Sequence, residues 1–101
     1  MDFFNTFVFE NRVVTIGGVR GYAVLNLEND LVGVVWSHKH KKGELAEGQA
    51  EIRFNDRYVT QYHTWRRVFL NYQRMPFDVL ERMIKEKGTV KLTIDPWQGK
   101  K

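Results

Sequence analysis

The sequence predicts a mainly β protein of the α+β class, built as a small antiparallel β-barrel with one C-terminal helix and a final strand. The first reason is that short β-branched or aromatic runs, separated by Gly-rich or Asn/Asp-rich turns, recur over residues 12–72. The second is that apolar residues take helical spacing over residues 76–87 and alternate over residues 89–94. We expect a single domain over residues 1–101, because a chain of this length forms one modest core.

Turn signals divide the barrel region into successive strands. Gly17-Gly18 closes the first β-branched run and a second strand follows directly, which predicts a tight turn between them. Residues 3–9 alternate loosely, as an extra or lengthened first strand would, and Glu10-Asn11 is expected to turn the chain. Glu28-Asn29-Asp30 predicts the turn before the third strand. The other strands of this antiparallel meander are predicted at residues 12–16, 20–27, 31–37 and 49–55.

Two later segments are less regular. Residues 38–47 are polar and contain Gly43, so we expect a loop or a single short turn after the third strand. In residues 57–72 two periodicities compete, because the apolar residues fit both helical spacing and alternation. The β-branched and aromatic content of this segment favours two strands over a helix.

A helix is predicted at residues 76–87. Pro76 suits the first helical position, and Gly88 can end the helix. The apolar residues of this segment lie along one helical face, which we expect to pack on the barrel: Phe77, Leu80, Met83 and Ile84. Residues 89–94 then alternate as a final strand.

Composition excludes several classes of protein. No apolar run approaches the roughly 18 to 20 residues that cross a bilayer, so we expect a soluble, cytoplasmic protein without membrane contact. Cysteine is absent, which removes disulfides, thiol catalysis and thiolate metal sites. No small-molecule cofactor is expected, because Gly17-Gly18-Val19-Arg20-Gly21 lacks the lysine and hydroxyl ending of a phosphate loop.

The order of the predicted strands resembles that of the OB-fold RNA-binding domains of the ribosomal S-one type. Arg20-Gly21-Tyr22-Ala23 and Glu47-Gly48-Gln49 are also similar to parts of a cold-shock domain. The resemblance covers residues 12–72 and implies an OB-like barrel whose second and third strands bind single-stranded nucleic acid. By position, Tyr22 would be a stacking aromatic of strand two, and Arg67 the arginine that opens the last strand. Trp36 and His38 lie near the place of a histidine that stacks on bases in these families.

The charge pattern points to the same partner. A net charge of +4 favours an acidic ligand, since bound Lys and Arg release counterions from phosphates. In the second half of the chain, basic residues are interleaved with aromatic ones, a composition that suits single strands. We therefore predict a non-catalytic protein that binds RNA or single-stranded DNA with low sequence specificity. The predicted binding residues, of which Tyr22 and Trp36 are expected on one face, are Arg20, Tyr22, Trp36, His38, Lys39, Lys41, Lys42, Arg57, Tyr62, Arg66 and Arg67.

Other functions have weaker support in the sequence. His38, His40 and His63 lack a zinc spacing, and the carboxylates are not patterned around them, so neither a metal site nor catalysis is expected. The alternative is a protein-interaction module, such as a small inhibitor or an accessory subunit. Exposed aromatic residues such as Phe3 and Trp97, together with arginines, would serve a protein interface equally well.

Overall fold

A computed structural model describes residues 6–38, 49–58, 67–69 and 76–94 of the chain. Its elements in chain order are β1 (Thr6–Ile16), β2 (Val19–Leu25), β3 (Leu31–His38), β4 (Gln49–Phe54), a short 3-10 helix (Asp56–Tyr58), β5 (Arg67–Phe69), α1 (Phe77–Lys87) and β6 (Thr89–Thr93). The mainly β class, the helix and the final strand are therefore confirmed. Most of the predicted loop after β3 lies outside the described residues. In the segment predicted as two strands at residues 57–72, residues 57–58 belong to the 3-10 helix and not to a strand, residues 67–69 form β5, and the rest lies outside the described residues.

All six strands form one antiparallel sheet in the order β5-β4-β3-β2-β1-β6. The first five strands each lie beside their neighbours in sequence, which confirms the meander. The helix then carries the chain across the sheet, so that β6 pairs with the first half of β1, from Thr6 opposite Thr93 to Glu10 opposite Thr89. The sheet is curled and β-barrel-like. Its consecutive strand order differs from the Greek-key order of an OB barrel.

The expected turn at Glu10-Asn11 is wrong, because β1 runs through these residues without reversing. The chain instead accommodates them as a β-bulge, since the pairing with β2 shifts register between Glu10 and Val13. Asn11 keeps a hydrogen-bond partner, because its amide donates to the carbonyl of Gly88 at 2.9 Å. A bulge bends the strand that contains it, so β1 changes direction at this point.

Register separates the two faces of the sheet. Tyr22 lies opposite Val35, and both belong to the core that α1 covers, so we call this side the helix face. The next pair, Ala23 opposite Val34, points to the other side because side chains alternate along a strand. We call that side the hairpin face, because the β1–β2 hairpin bends over it.

Two glycine positions show this bend. A Cβ on Gly21 would overlap the backbone carbonyl oxygen of Val35, so only glycine fits at this position. The hairpin leaves the plane of the sheet at this residue. A Cβ on Gly17, in the hairpin turn, would lie 3.3 Å from Nε of Arg53 on β4, two strands away. Ala23 and Val34 are fully buried on the hairpin face, while Val13, on the outer side of the hairpin, is 51% exposed.

The turn between β2 and β3 begins at Asn26, earlier than the sequence predicts. The side-chain oxygen of Asn26 accepts hydrogen bonds from the amides of Glu28 and Asp30, both at 2.9 Å. Asn29 has a φ of 71°, a left-handed conformation that Asn tolerates better than most residues. The amide side chain thus ends β2 at Leu25 by replacing ladder hydrogen bonds with local ones.

The helix closes the core. Pro76 immediately precedes it in an extended conformation, and Gly88 ends it with a φ of 85° while its amide donates to the carbonyl of Ile84 at 2.7 Å. Leu80 and Ile84 are fully buried against strand residues such as Phe7 and Phe9. Each of the two buried helical side chains contributes about 1.5 to 3 kcal/mol. No described helix has the length and apolar character needed to cross a membrane.

Candidate nucleic-acid interface

The prediction that Tyr22 and Trp36 share one face of the sheet is wrong. Tyr22 is opposite Val35 on β3, and Trp36 is the next residue, so its side chain points to the hairpin face. The sequence could not show this, because a shift of one residue in the register between two strands exchanges their faces. The two aromatic rings therefore cannot form one stacking platform.

Tyr22 is part of the contact between sheet and helix. Its ring is 9% exposed and stacks on Phe77, with centroids 6.2 Å apart and planes inclined by 23°. Its hydroxyl donates a hydrogen bond of 2.6 Å to Oε2 of Glu81. Burial, then the hydrogen bond to Glu81 and the negative charge of that carboxylate, raise the pKa of the Tyr22 phenol from 10.0 to about 12. Both ring and hydroxyl are thus engaged within the fold.

Trp36 is half-buried on the hairpin face of β3. Its register partner on β4 is Glu51, which is buried at 1% exposure on the same face. Two residues further along β3, His38 pairs with Gln49 at the end of the strand. Of Tyr22 and Trp36, Trp36 is therefore the one that lies on the side away from the helix.

Arg53 is a candidate that the sequence-based prediction missed. It lies on β4 between buried Ile52 and Phe54, with its exposed side chain on the hairpin face. It forms no ion pair with any described residue. On β5, its direct register partner is Arg67, one of the predicted binding residues. The alternation of residues 50–54 could have identified Arg53 as the single cation on the solvent side of that strand.

The other predicted residues that the structure describes lie outside the strip that Trp36 and Arg53 form on the hairpin face. Arg20 is exposed and lies on the same side of β2 as Tyr22, which is the outer side of the bent hairpin. Arg57 is exposed in the 3-10 helix beyond β4, with its guanidinium 5.6 Å from the ring centroid of Tyr58. The remaining predicted binding residues lie outside the described residues: Lys39, Lys41, Lys42, Tyr62 and Arg66.

The candidate interface combines an exposed cation with an aromatic ring on one face of the sheet. Across residues 6–38, 49–58, 67–69 and 76–94, no three His, Asp or Glu side chains are grouped as metal ligands would be. The strip on the hairpin face combines the half-buried indole of Trp36 with the exposed side chain of Arg53, and the buried carboxylate of Glu51 lies on the same face. The register partner of Arg53 on β5 is Arg67. No protein-family model matches the chain, and neither a curated protein nor a solved structure matches it.

Proposed function

We propose that this protein binds single-stranded RNA or DNA, without catalysis and with low sequence specificity, through the hairpin face of its sheet. The observation that carries the proposal is the register pair of Arg53 and Arg67 on neighbouring strands. Like charges at directly opposite positions destabilise a sheet, so an anion bound at this pair would offset the repulsion. A phosphate backbone is an anion that can lie along such a strip.

Aromatic and basic residues on the same face support a single strand as the ligand. Trp36 is one strand away from Arg53 and lies on the same face, with part of its surface accessible. Base stacking on one ring is worth about 1 to 3 kcal/mol and is tolerant of sequence, because every base has a flat apolar surface. Low specificity follows, since neither stacking nor phosphate contacts read base edges.

The overall charge supports the same partner. The chain has 16 Lys and Arg against 12 Asp and Glu, and exposed Arg20 and Arg57 form no ion pair with described residues. Cations that are not neutralised within the fold are available to phosphates. Their release of counterions on binding makes affinity fall steeply with salt.

The test is a fluorescence-anisotropy titration of the purified protein into labelled single-stranded RNA and DNA oligomers, at about 50 and about 200 mM salt. We expect binding to both oligomers that weakens at the higher salt concentration. The Trp36→Leu variant should bind more weakly by about 1 to 3 kcal/mol. Phe77→Leu is the matched control, because Phe77 is a half-buried aromatic residue on the helix face and should leave affinity unchanged.

Absence of binding at low salt by the folded wild-type protein would refute the proposal and leave a protein partner as the alternative. Equal loss of affinity in the Trp36 and Phe77 variants would refute the assignment to the hairpin face. In that case the weaker binding would come from a less stable fold and not from an altered interaction with the ligand.

A further inference from the structure

The hairpin turn itself has the chemistry of an anion site. Gly17 and Gly18 have φ angles of 58° and 82°, which is the backbone of a two-residue turn between β-strands. The ladder ends where Ile16 pairs with Val19, so the amides of the two turn glycines lie beyond the hydrogen bonds of the strands. Successive backbone amides in a turn form a concave donor group that suits anions.

Arg53 brings a guanidinium to this turn. A Cβ placed on Gly17 would lie 3.3 Å from Nε and 3.5 Å from Nη2 of Arg53, so the absence of a side chain at position 17 leaves room for the guanidinium. Its exposed head has no carboxylate partner among the described residues. Guanidinium and amide donors side by side are the groups that bind phosphate oxygens, with Arg forming two parallel hydrogen bonds.

We propose that Arg53 and the Gly17-Gly18 turn together bind one phosphodiester group of the nucleic-acid strand. This inference rests on the proposed function and names the position of one phosphate within it. A non-bridging oxygen accepts hydrogen bonds from the Arg53 guanidinium, while the turn amides donate to the same phosphate. On the neighbouring strand β5, the register partner of Arg53 is a second arginine, Arg67.

The salt dependence of binding tests this site directly. For a single strand, the slope of log affinity against log salt becomes shallower by about 0.7 for each phosphate that the protein no longer neutralises. We expect Arg53→Gln to lower affinity for an oligothymidylate about tenfold and to reduce the slope by that amount. Arg53→Lys should keep the slope and bind with reduced affinity, because it keeps the charge without the planar fork.

The matched control is Arg82→Gln, which removes the same charge from an exposed position on α1, on the other side of the sheet. It should leave affinity and slope unchanged. If the wild-type protein binds but Arg53→Gln behaves like Arg82→Gln, the phosphate site is refuted while nucleic-acid binding stands. If the wild-type protein does not bind, the proposed function itself has failed.

A second measurement is independent of oligonucleotide binding. Titration with inorganic phosphate, followed by the amide resonances of a uniformly ¹⁵N-labelled protein, should shift Gly17 and Gly18 in the wild-type protein and not in Arg53→Gln. Thermal unfolding followed by circular dichroism verifies that the variant is folded. Unshifted glycine resonances in the wild-type protein, with phosphate or with oligomer, would overturn the site.

Discussion

The hydrogen bond between Tyr22 and Glu81 gives a stability prediction that can be worked out from the structure. Tyr22→Phe removes the hydroxyl and keeps the ring, so the stacking on Phe77 and the buried apolar surface are preserved. A hydrogen bond to a charged acceptor contributes about 1.5 to 3 kcal/mol. The side chain of Glu81 is 36% exposed and can turn to water in the variant, so we expect the lower end, about 1.5 kcal/mol.

The burial of Tyr22, together with the same hydrogen bond, predicts a dependence of stability on pH. The pKa of the Tyr22 phenol rises from 10.0 to about 12 in the fold, so the folded state holds this proton more tightly than the unfolded chain. The stabilisation is therefore complete below about pH 10 and is lost as the pH rises toward 12. The part of the folding free energy that depends on this proton is at most about 2.7 kcal/mol, because each unit of difference between the folded and unfolded pKa corresponds to about 1.36 kcal/mol.

The assay is urea unfolding of the wild-type protein and of Tyr22→Phe, followed by far-ultraviolet circular dichroism at neutral and alkaline pH. The wild-type protein should be more stable at neutral pH, and the gap should close in the alkaline range. All other titratable groups are common to both proteins, so only the difference in stability between the two proteins reports on Tyr22. Equal stability at neutral pH, or a gap that does not change with pH, would refute this account of the bond.

Three further substitutions test the fold. Gly21→Ala should destabilise by about 1 to 3 kcal/mol in urea unfolding, because its Cβ would overlap the carbonyl of Val35, and an unchanged midpoint would contradict the sharp bend of the hairpin. Leu80→Ala should lower the free energy of unfolding by about 2 to 5 kcal/mol, because Leu80 is fully buried, whereas Arg82→Ala, at an exposed position, should change it by no more than about 0.5 kcal/mol. Similar losses in the two variants would contradict the observation that α1 packs on the sheet through Leu80. Asn26→Ala should lower the free energy of unfolding by about 1 to 2 kcal/mol, because it removes the oxygen that accepts hydrogen bonds from two turn amides. A smaller decrease in thermal unfolding would show that water replaces this acceptor.

Local patterns in the sequence determined most of the elements. The helix was predictable because Pro76 and Gly88 restrict the backbone at its ends, and because Leu80 and Ile84 fall on one helical face. The final strand was predictable from its alternation. These signals act within a few residues, so no knowledge of the rest of the chain was needed.

The candidate site could be predicted only in part. Trp36 and Arg67 were identified from their place in the order of strands, and the structure puts both on strands of the sheet. Arg53 was missed, because its significance comes from Arg67 opposite and Gly17 nearby, residues distant in sequence. Tyr22 was selected for its place beside Gly21, and the structure buries it against a helix that begins more than fifty residues later.

The sequence by itself determined the class of the fold, the hairpin turn at Gly17-Gly18, the helix and the excess of positive charge, since each depends on local conformational preference or on composition. Only the tertiary structure decided which side chains share a face. Register between strands sets Tyr22 toward the helix and Trp36 away from it, and the bend of the β1–β2 hairpin brings its turn to Arg53. Register and bending are fixed by the packing of the whole sheet, and a shift of one residue in pairing would exchange the faces.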